Sequence, residues 1–537
     1  MAAMNALISL LLFASVQAPE EAKPERGLRV SDPAAAPGYV LFSPLRARKT
    51  HLTDGQGNVL HTWDSPHPPL AVYLLDDGTL LRGGRIEDNP TFWGGGLGGR
   101  IQQLAKDGTV QWEYVLSDAK ATLHHDFKTL PNGNVIAIAW ELVAREAAIA
   151  LGRDPAATLE KGWWPCWLLE IQPTRPSGGK IVWEWHAKDH LIQDLDPAKP
   201  GHGAVSEHPE RIDVNADHRG ELPLSAEERE RRAQQEAEMA ALGYAGGDEA
   251  GSDATHDGGA PANGQGPPKS GDWLHLNSID YQPASDLILL STPELCEIWV
   301  IDHSTTTAEA KGSTGGRWKK GGDLLYRWGN PRMYGLGTEA DKQLFYQHQA
   351  EWVPAGLPGA GHVTLFNNGK ERPEKEYSSV EELVLPFDPA RGFVREPGKA
   401  FGPAKPVWSY SDPENFFSFF ISGCQRLANG DTFVCSGKQG RFFEVTPSGA
   451  IVWEYWNPYG GELEMGMGRA APPPGPPGGP SPGNGPPHPP GGGAPAGGGP
   501  PGGGPPGGGS PVEPTSCFRA TKLAPDHPGL RALGIVK

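Results

Sequence analysis

The sequence predicts an all-β fold: a six-bladed β-propeller with a charged surface insertion and a Gly/Pro-rich low-complexity loop. A turn residue, a few apolar residues and a tryptophan recur six times, at Trp63, Trp112, Trp183, Trp328, Trp408 and Trp453. The shortest spacings between consecutive copies are 45 and 49 residues. Between the copies lie hairpins with Asp-Gly or Asn-Gly turns, which favour tight antiparallel pairing. Short strands repeating at this period are typical of propeller blades, whereas a β-sandwich gives no reason for a periodic tryptophan.

The amino terminus precedes the propeller, which we predict over residues 37–470. Residues 5–18, NALISLLLFASVQA, form an apolar run followed by a polar segment. This pattern predicts a signal peptide over residues 1–18. The apolar run is too short for a membrane-spanning helix, which needs about 20 apolar residues. We therefore expect no membrane span and a periplasmic or secreted protein.

Two stretches interrupt the repeat. An insertion at about 187–272 separates the third and fourth tryptophan copies, and its segment 193–272 holds 17 acidic and 7 basic residues. That segment alone carries −10 of the chain's net charge of −17. Residues 471–511 contain 17 Pro and 17 Gly without a strict Gly-X-Y period, which predicts a disordered loop and excludes collagen. Residues 512–537 would then return as a closing strand, so that the ring has no open sheet edge.

Charge and cysteine content narrow the partners and the chemistry. An acidic chain repels the phosphates of nucleic acid, so we expect no nucleic-acid partner.

The five cysteines form no Cys-x-x-Cys pair. Cys424 and Cys435 flank the turn Asn429-Gly430, and in an exported protein they could be bonded or could be two buried thiols. Both alternatives stay open at this point.

Histidines fall at equivalent places in the predicted innermost strands. Counting eight residues back from the turn glycine gives Leu70, His125 and Ser422, and the less regular hairpins place His275 and His348 there. Since innermost strands line a propeller's central channel, His125, His275 and His348 should project into one funnel. Three imidazoles suit a metal site with an open coordination position, or nucleophilic and acid–base catalysis near neutral pH. Spacing does not separate these two chemistries.

A glycine-rich segment, Gly94–Gly99, invites comparison with phosphate-binding loops. It lacks the Lys-Ser/Thr pair and opens no predicted helix, so a phosphate loop is disfavoured.

Several segments together resemble bacterial aryl-sulfate sulfotransferases, which are exported six-bladed propellers that do not use the nucleotide donor PAPS. They are HHDFKTLPNGN (124–134), DWLHLNSIDY (272–281), QHQAEWV (347–353) with HVTLFNNG (362–369), and RFFEVTPSGAIVWEYWNP (441–458). The resemblance covers most of residues 37–460. It implies a transferase in which a channel histidine takes the sulfuryl group from an aryl sulfate and a phenol then collects it.

The resemblance also implies roles for individual residues. His348 would be the nucleophile, and His275 and His125 would bind sulfuryl oxygens or handle the phenol proton. His124 and Asn277 would contact the substrate. The family carries an arginine where this chain has Pro293, so Arg426, Arg519 or Arg327 would have to supply the cation.

The resemblance implies no cofactor, a small-molecule aryl sulfate and a phenol as partners, and we expect a monomer. Two alternatives remain open from the residues. One is a non-catalytic propeller that binds an anionic or aromatic ligand. The other is an enzyme in which the three histidines hold a metal.

Overall fold

The computed structural model describes residues 25–218, 225–241, 270–460 and 515–537. The predicted signal peptide and the predicted loop at 471–511 lie outside these residues. Six sheets of four or five strands form a six-bladed β-propeller, which confirms the predicted fold class. No helix in the described ranges is long and apolar enough to cross a membrane.

Blades I to VI follow the chain, and each sheet runs from an innermost strand at the channel to an outermost strand at the rim. Blade I contains Cys517–Leu523, Tyr39–Pro44, Lys49–Thr53 and Val59–Asp64. Blade II contains Pro69–Leu74, Leu80–Arg85, Gly99–Leu104 and Val110–Val115. Blade III contains Ala121–Thr129, Val135–Glu141, Cys166–Pro173 and Gly179–His186.

The second half of the ring repeats this plan. Blade IV contains Ser278–Gln282, Leu287–Thr292, Glu297–Asp302 and Tyr326–Trp328. Blade V contains His348–Trp352, Val363–Asn367, Ser379–Leu383 and Trp408–Ser411. Blade VI contains Gly423–Arg426, Thr432–Ser436, Arg441–Val445, Ile451–Trp456 and the added edge strand Gly27–Ser31. The carboxy-terminal strand pairs with Tyr39–Pro44, so both ends of the chain build blade I.

Short elements decorate the blades. Two small sheets pair Leu191–Ile192 with Ile212–Asp213 and Phe387–Asp388 with Gly392–Phe393. The α-helices are α1 (Arg145–Ala150), α2 (Ala226–Ala241), α3 (Thr307–Ala310) and α4 (Pro528–Ala532). The 3₁₀ turns are Ala187–Asp189, Val205–Glu207, Ala216–His218, Pro331–Tyr334 and Glu339–Asp341.

The tryptophan repeat has a structural role at the blade boundaries. Each copy lies in the fourth strand of its blade, counted from the channel, and this strand is the outermost one in blades I to V. Five of the six indoles donate a hydrogen bond to the next blade, at Gly178, Thr305, Pro403, Pro447 and Gly55. The buried indole of Trp63 is the exception, since no acceptor faces it among the described residues. There the ring of His61 contacts the Lys106 carbonyl instead, at 2.8 Å.

The insertion is only partly a surface feature. Its first part, residues 187–218, buries Leu191, Ile212 and Val214 in the apolar cluster between blades III and IV. Apolar residues spaced through a polar stretch therefore anchor this part of the insertion to the core. Helix α2 begins with a capping box, in which Ser225 and Glu228 exchange hydrogen bonds.

Cys424 and Cys435 are both buried free thiols. Cys424 lies opposite Val434, and Cys435 lies opposite Gly423. The backbone of Leu427 pairs with that of Asp431, so the turn spans three residues and shifts the register by one. Neighbouring positions in a strand point to opposite faces of the sheet, so the two sulfurs are kept apart.

The innermost strands are irregular at the level of the predicted funnel. In blades II, III and V the pairing register shifts where the strand passes Leu70, His125 and Gln349. Such bulges re-aim side chains next to functional sites. His125 and His275 also share a left-handed backbone, with φ of 53° and 51°. Side chains of this size rarely adopt that conformation, which indicates that the surrounding structure imposes it.

Candidate functional site

A cavity of about 530 Å³ opens at one end of the channel. His275, His348, Pro293 and Glu294 line its inner part. Its walls carry Trp93, Trp163, Tyr346, Phe419 and Phe420. Helix α2 contributes Arg232, Glu236 and Met239, which are spaced by four and three residues and so share one helix face. The cavity thus combines an aromatic wall with a polar end, as ligand-binding sites commonly do.

Helix α2 is held over the cavity mainly by polar contacts. Arg232 binds Glu371 at 2.7 Å and Gln235 binds Glu376 at 3.0 Å, both on the segment after the second strand of blade V. Glu238 pairs with Lys438 of blade VI at 3.0 Å. The helix therefore spans two blades and forms one wall of the cavity.

His348 is presented with an unprotonated ring nitrogen. The amide of Asn368 donates to the carbonyls of Ser418 and Ile421, so its Oδ1 faces His348 Nδ1 at 2.8 Å. Nδ1 must then carry the proton, and Nε2 keeps its lone pair. The backbone N–H of Ile421 donates to Nε2 at 3.2 Å, in agreement with that tautomer. Burial lowers the pKa of His348 to about 3, so the ring is neutral near neutral pH.

His275 has the opposite electrostatic character. Its Nδ1 is hydrogen-bonded to the carboxylate of Asp272. Burial disfavours the charged ring, but the Asp272 carboxylate outweighs this and raises the pKa of His275 above its ordinary value. His275 therefore takes up positive charge more readily than an ordinary histidine, beside the neutral His348.

His125 lies behind His275 and does not line the cavity. The two ring centroids are 4.3 Å apart in an edge-to-face arrangement. Burial and the charge of His275 hold the pKa of His125 well below its usual range. His125 is thus a neutral support for His275, and the structure brings all three predicted histidines into one cluster.

The sequence analysis predicts that His124 and Asn277 contact the substrate. Neither residue lines the cavity. His124 stacks on Trp140 at 4.2 Å and its Nδ1 meets His125 Nδ1 at 2.7 Å. Asn277 is buried and donates to the carbonyl of Gln347 at 2.8 Å. Both side chains are instead engaged by neighbouring groups of the protein.

The predicted arginines do not line the cavity either. Arg327 forms a buried ion pair with Glu297. Arg519 donates to Asp126 and Tyr73, each at 2.9 Å, in the buried channel. Arg426 forms a buried ion pair with Glu382 and donates to the Gly430 carbonyl at 3.1 Å. The guanidinium groups of these arginines are already paired with carboxylates. The sequence does not place these carboxylates beside the arginines.

Lys370 is the cation that the sequence analysis missed. It lines the cavity, its ammonium lies 4.5 Å from the centroid of the Tyr346 ring, and it acts electrostatically on His275. Among the described residues no carboxylate forms an ion pair with it. Its position directly after the FNNG segment was the available indication, since that segment also supplies Asn368 beside His348.

The glycine-rich segment 94–99 packs on the histidine cluster. The Gly96 carbonyl accepts from the His125 backbone N–H at 2.8 Å. A Cβ at Gly96 would lie 2.0 Å from the His125 ring, and the φ of Gly96 is 73°. The glycine is thus required for close approach to an imidazole, which explains a motif that fits no phosphate loop.

Within residues 25–218, 225–241, 270–460 and 515–537, no group of three or more His, Cys, Asp or Glu side chains is arranged to hold a metal ion. His125, His275 and His348 are instead committed to Asp272, to Asn368 and to one another.

Comparison with known proteins places the chain in a family. The model of the arylsulfotransferase (ASST) family matches residues 46–456. Since this match spans well over half of the sequence, the chain belongs to the arylsulfotransferase family. Membership supports an aryl sulfotransferase-type function acting on small molecules.

More distant comparisons add little. A comparison with curated proteins finds no match. A protein of unknown function from Bacteroides caccae is 10% identical, with 78% of this chain and 94% of that chain covered and a TM-score of 0.37. Virginiamycin B lyase from Staphylococcus aureus is 10% identical, with coverages of 81% and 90% and a TM-score of 0.28. Similarities this low carry no argument about this chain.

Proposed function

We propose that this protein moves a sulfuryl group from an aryl sulfate to a phenolic acceptor through a sulfohistidine at His348. The observation that carries the proposal is the pair of unlike histidines in one cavity. His348 offers an available ring nitrogen, while His275 is held as a cation beside it. A neutral nucleophile next to a fixed positive charge suits attack on an anionic ester.

In the first half-reaction, Nε2 of His348 attacks the sulfur of the donor. The S–N bond forms as the ester S–O bond breaks, and the aryl oxygen leaves with the electron pair. Nε2 gives up its hydrogen bond from Ile421 in this step. Charge on the sulfuryl oxygens is met by His275 and Lys370, which replace the absent family arginine. Positioning and charge stabilisation dominate, as in phosphoryl transfer.

In the second half-reaction, the acceptor oxygen attacks the same sulfur. The S–N bond breaks and its electron pair returns to Nε2. The low pKa of His348 assists here, because a weakly basic nitrogen is a good leaving group. The Asn368 contact keeps the proton on Nδ1 throughout. Tyr346, Phe419 and Phe420 supply apolar surface for the aryl group of donor and acceptor.

The test is transfer from 4-nitrophenyl sulfate to phenol by the full chain and by His348→Ala. We expect the variant to lose the activity. His362→Ala is the matched control, because His362 lies in the same blade but contacts Glu382 away from the cavity. Equal rates in the wild type and His348→Ala would contradict the assignment of His348.

We also propose that the protein is exported, on the basis of the apolar segment at residues 5–18. Expression of the full chain in a Gram-negative host should yield a periplasmic or secreted form beginning after Ala18. Amino-terminal sequencing and cell fractionation measure this. An unprocessed chain confined to the cytoplasm would contradict the proposal.

A non-catalytic ligand-binding propeller is the second candidate. It is favoured by the four carboxylates that line the cavity, Asp217, Glu236, Asp272 and Glu294, because they oppose an anionic donor. Saturable binding of a phenol, without transfer from any of a panel of aryl sulfates, would support this candidate over the transferase.

A further inference from the structure

Glu294 occupies an unusual place at the inner end of the cavity. It lies in the turn between the second and third strands of blade IV, directly after Pro293. Its side chain is exposed to the cavity, although the residues on both sides of it in sequence are buried. Its carboxyl group is therefore accessible to a bound ligand while the surrounding backbone is fixed.

The transfer needs a group that exchanges a proton with the aryl oxygen, and the histidines are poorly suited to this. His348 attacks the sulfur and keeps its Nδ1 proton on Asn368. His275 has its Nδ1 on Asp272, and this carboxylate favours the charged ring. His125 lies behind His275 and does not reach the cavity. The carboxyl group of Glu294 lines the cavity and forms no ion pair or hydrogen bond with the described residues.

We propose that Glu294 is the general acid and base of the reaction, a catalytic residue that protonates the leaving aryl oxygen and later deprotonates the acceptor phenol. This inference rests on the proposed function. In the first half-reaction the S–O bond breaks while the Glu294 carboxyl gives its proton to the leaving oxygen. In the second, the phenol proton returns to the carboxylate as the new O–S bond forms and the S–N bond breaks. The enzyme ends in its starting protonation state.

The surroundings of Glu294 support this role. Burial raises its pKa above the ordinary value for Glu, and the negative charges of Asp272 and Glu371 act in the same direction. His275 and Lys370 act in the opposite direction and stabilise the carboxylate. Together these influences bring the pKa of Glu294 nearer to neutral pH than that of an ordinary Glu. A carboxyl group with such a pKa can serve as both acid and base.

A comparison of two donors distinguishes this role from a general loss of activity. Phenolate is a strongly basic leaving group that needs a proton, whereas 4-nitrophenolate is stable without one. We expect Glu294→Gln to release 4-nitrophenol in the first turnover at the wild-type rate. The same variant should release phenol from phenyl sulfate about 100-fold more slowly or worse, as expected for loss of general acid catalysis.

The second half-reaction gives an independent readout. Glu294→Gln should turn over slowly with phenol as acceptor, and its deficit relative to the wild type should shrink when 4-cyanophenol, assayed above its own pKa with 4-nitrophenyl sulfate as donor, replaces phenol. Glu294→Asp should recover part of the activity on phenyl sulfate. Glu236→Gln is the matched control, since it removes another carboxylate that lines the cavity and leaves Glu294 in place. It should affect both donors equally.

The outcomes distinguish this inference from the proposed function. Failure of the wild type to release any phenol from either donor overturns the proposed function itself. An active wild type that depends on His348, with Glu294→Gln equally fast or equally slow on both donors, overturns only the role of Glu294. Thermal unfolding of each variant identifies a folding defect.

Discussion

At the scale of single residues, the site depends on one contact made by each histidine. Asn368 fixes the tautomer of His348, and Asp272 fixes the charge of His275. Both partners are short polar side chains anchored close to their histidine. Similar imidazoles thus acquire opposite properties from their immediate surroundings, which is how one cavity can hold both a nucleophile and a cation.

The charge of His275 has a consequence for pH dependence. Because the pKa of His275 is raised, the ring is charged below that pKa, and the transfer rate should fall as the pH rises through it. Asp272→Asn removes the stabilising carboxylate and should move this alkaline limb to lower pH. The measurement is the pH profile of first-turnover 4-nitrophenol release, since this donor does not need the acid function of Glu294. An alkaline limb at the same pH in both proteins would contradict the role of the Asp272 contact.

At the scale of elements, the outermost strands join neighbouring blades through their tryptophans. Each donating indole forms a hydrogen bond with a backbone or hydroxyl oxygen of the following blade. The repeated tryptophans therefore link neighbouring blades laterally around the ring. Helix α2 adds a different connection, because it bridges blades V and VI while forming a cavity wall. These connections keep the inner strands in place, and the bulges on those strands aim the histidines.

Trp112 and Trp63 offer a matched pair for testing this lateral bond. Both indoles are buried, but Trp112 donates to the Gly178 carbonyl at 2.8 Å while Trp63 has no acceptor among the described residues. Replacement by Phe removes a similar volume at each position. We expect Trp112→Phe to lower the free energy of unfolding by about 1 kcal/mol more than Trp63→Phe, as measured by urea denaturation. Equal losses would argue that the indole hydrogen bond contributes nothing.

At the scale of the whole molecule, ring closure and the central channel are coupled. The carboxy-terminal strand brings Arg519 into the channel, where it meets Tyr73 of blade II and Asp126 of blade III. Lys128 of blade III similarly pairs with Asp280 of blade IV, at 2.9 Å. These ion pairs therefore join the innermost strands of different blades around the channel.

The sequence predicted the features that repeat along the chain. The tryptophan period gave the number of blades, and the hairpin alignment placed His125, His275 and His348 at one level. It could not predict contacts that depend on how the ring closes. The pairing of Arg519 with Asp126 joins residues 393 positions apart, and α2 reaches the cavity from an insertion with no counterpart in the repeat. Lys370 and Glu294 were missed because neither belongs to the repeated pattern.

The central claim is that His348 carries the sulfuryl group, and trapping that group tests it most directly. The full chain would be incubated with a radiolabelled aryl sulfate in the absence of acceptor, and the reaction would be quenched in base. Proteolytic peptides would then be separated to locate the label. We predict stoichiometric label on the peptide that contains His348, no label on His348→Ala, and release of the label as an aryl sulfate when phenol is added. Label on another residue, or turnover without any labelled protein, would contradict the account.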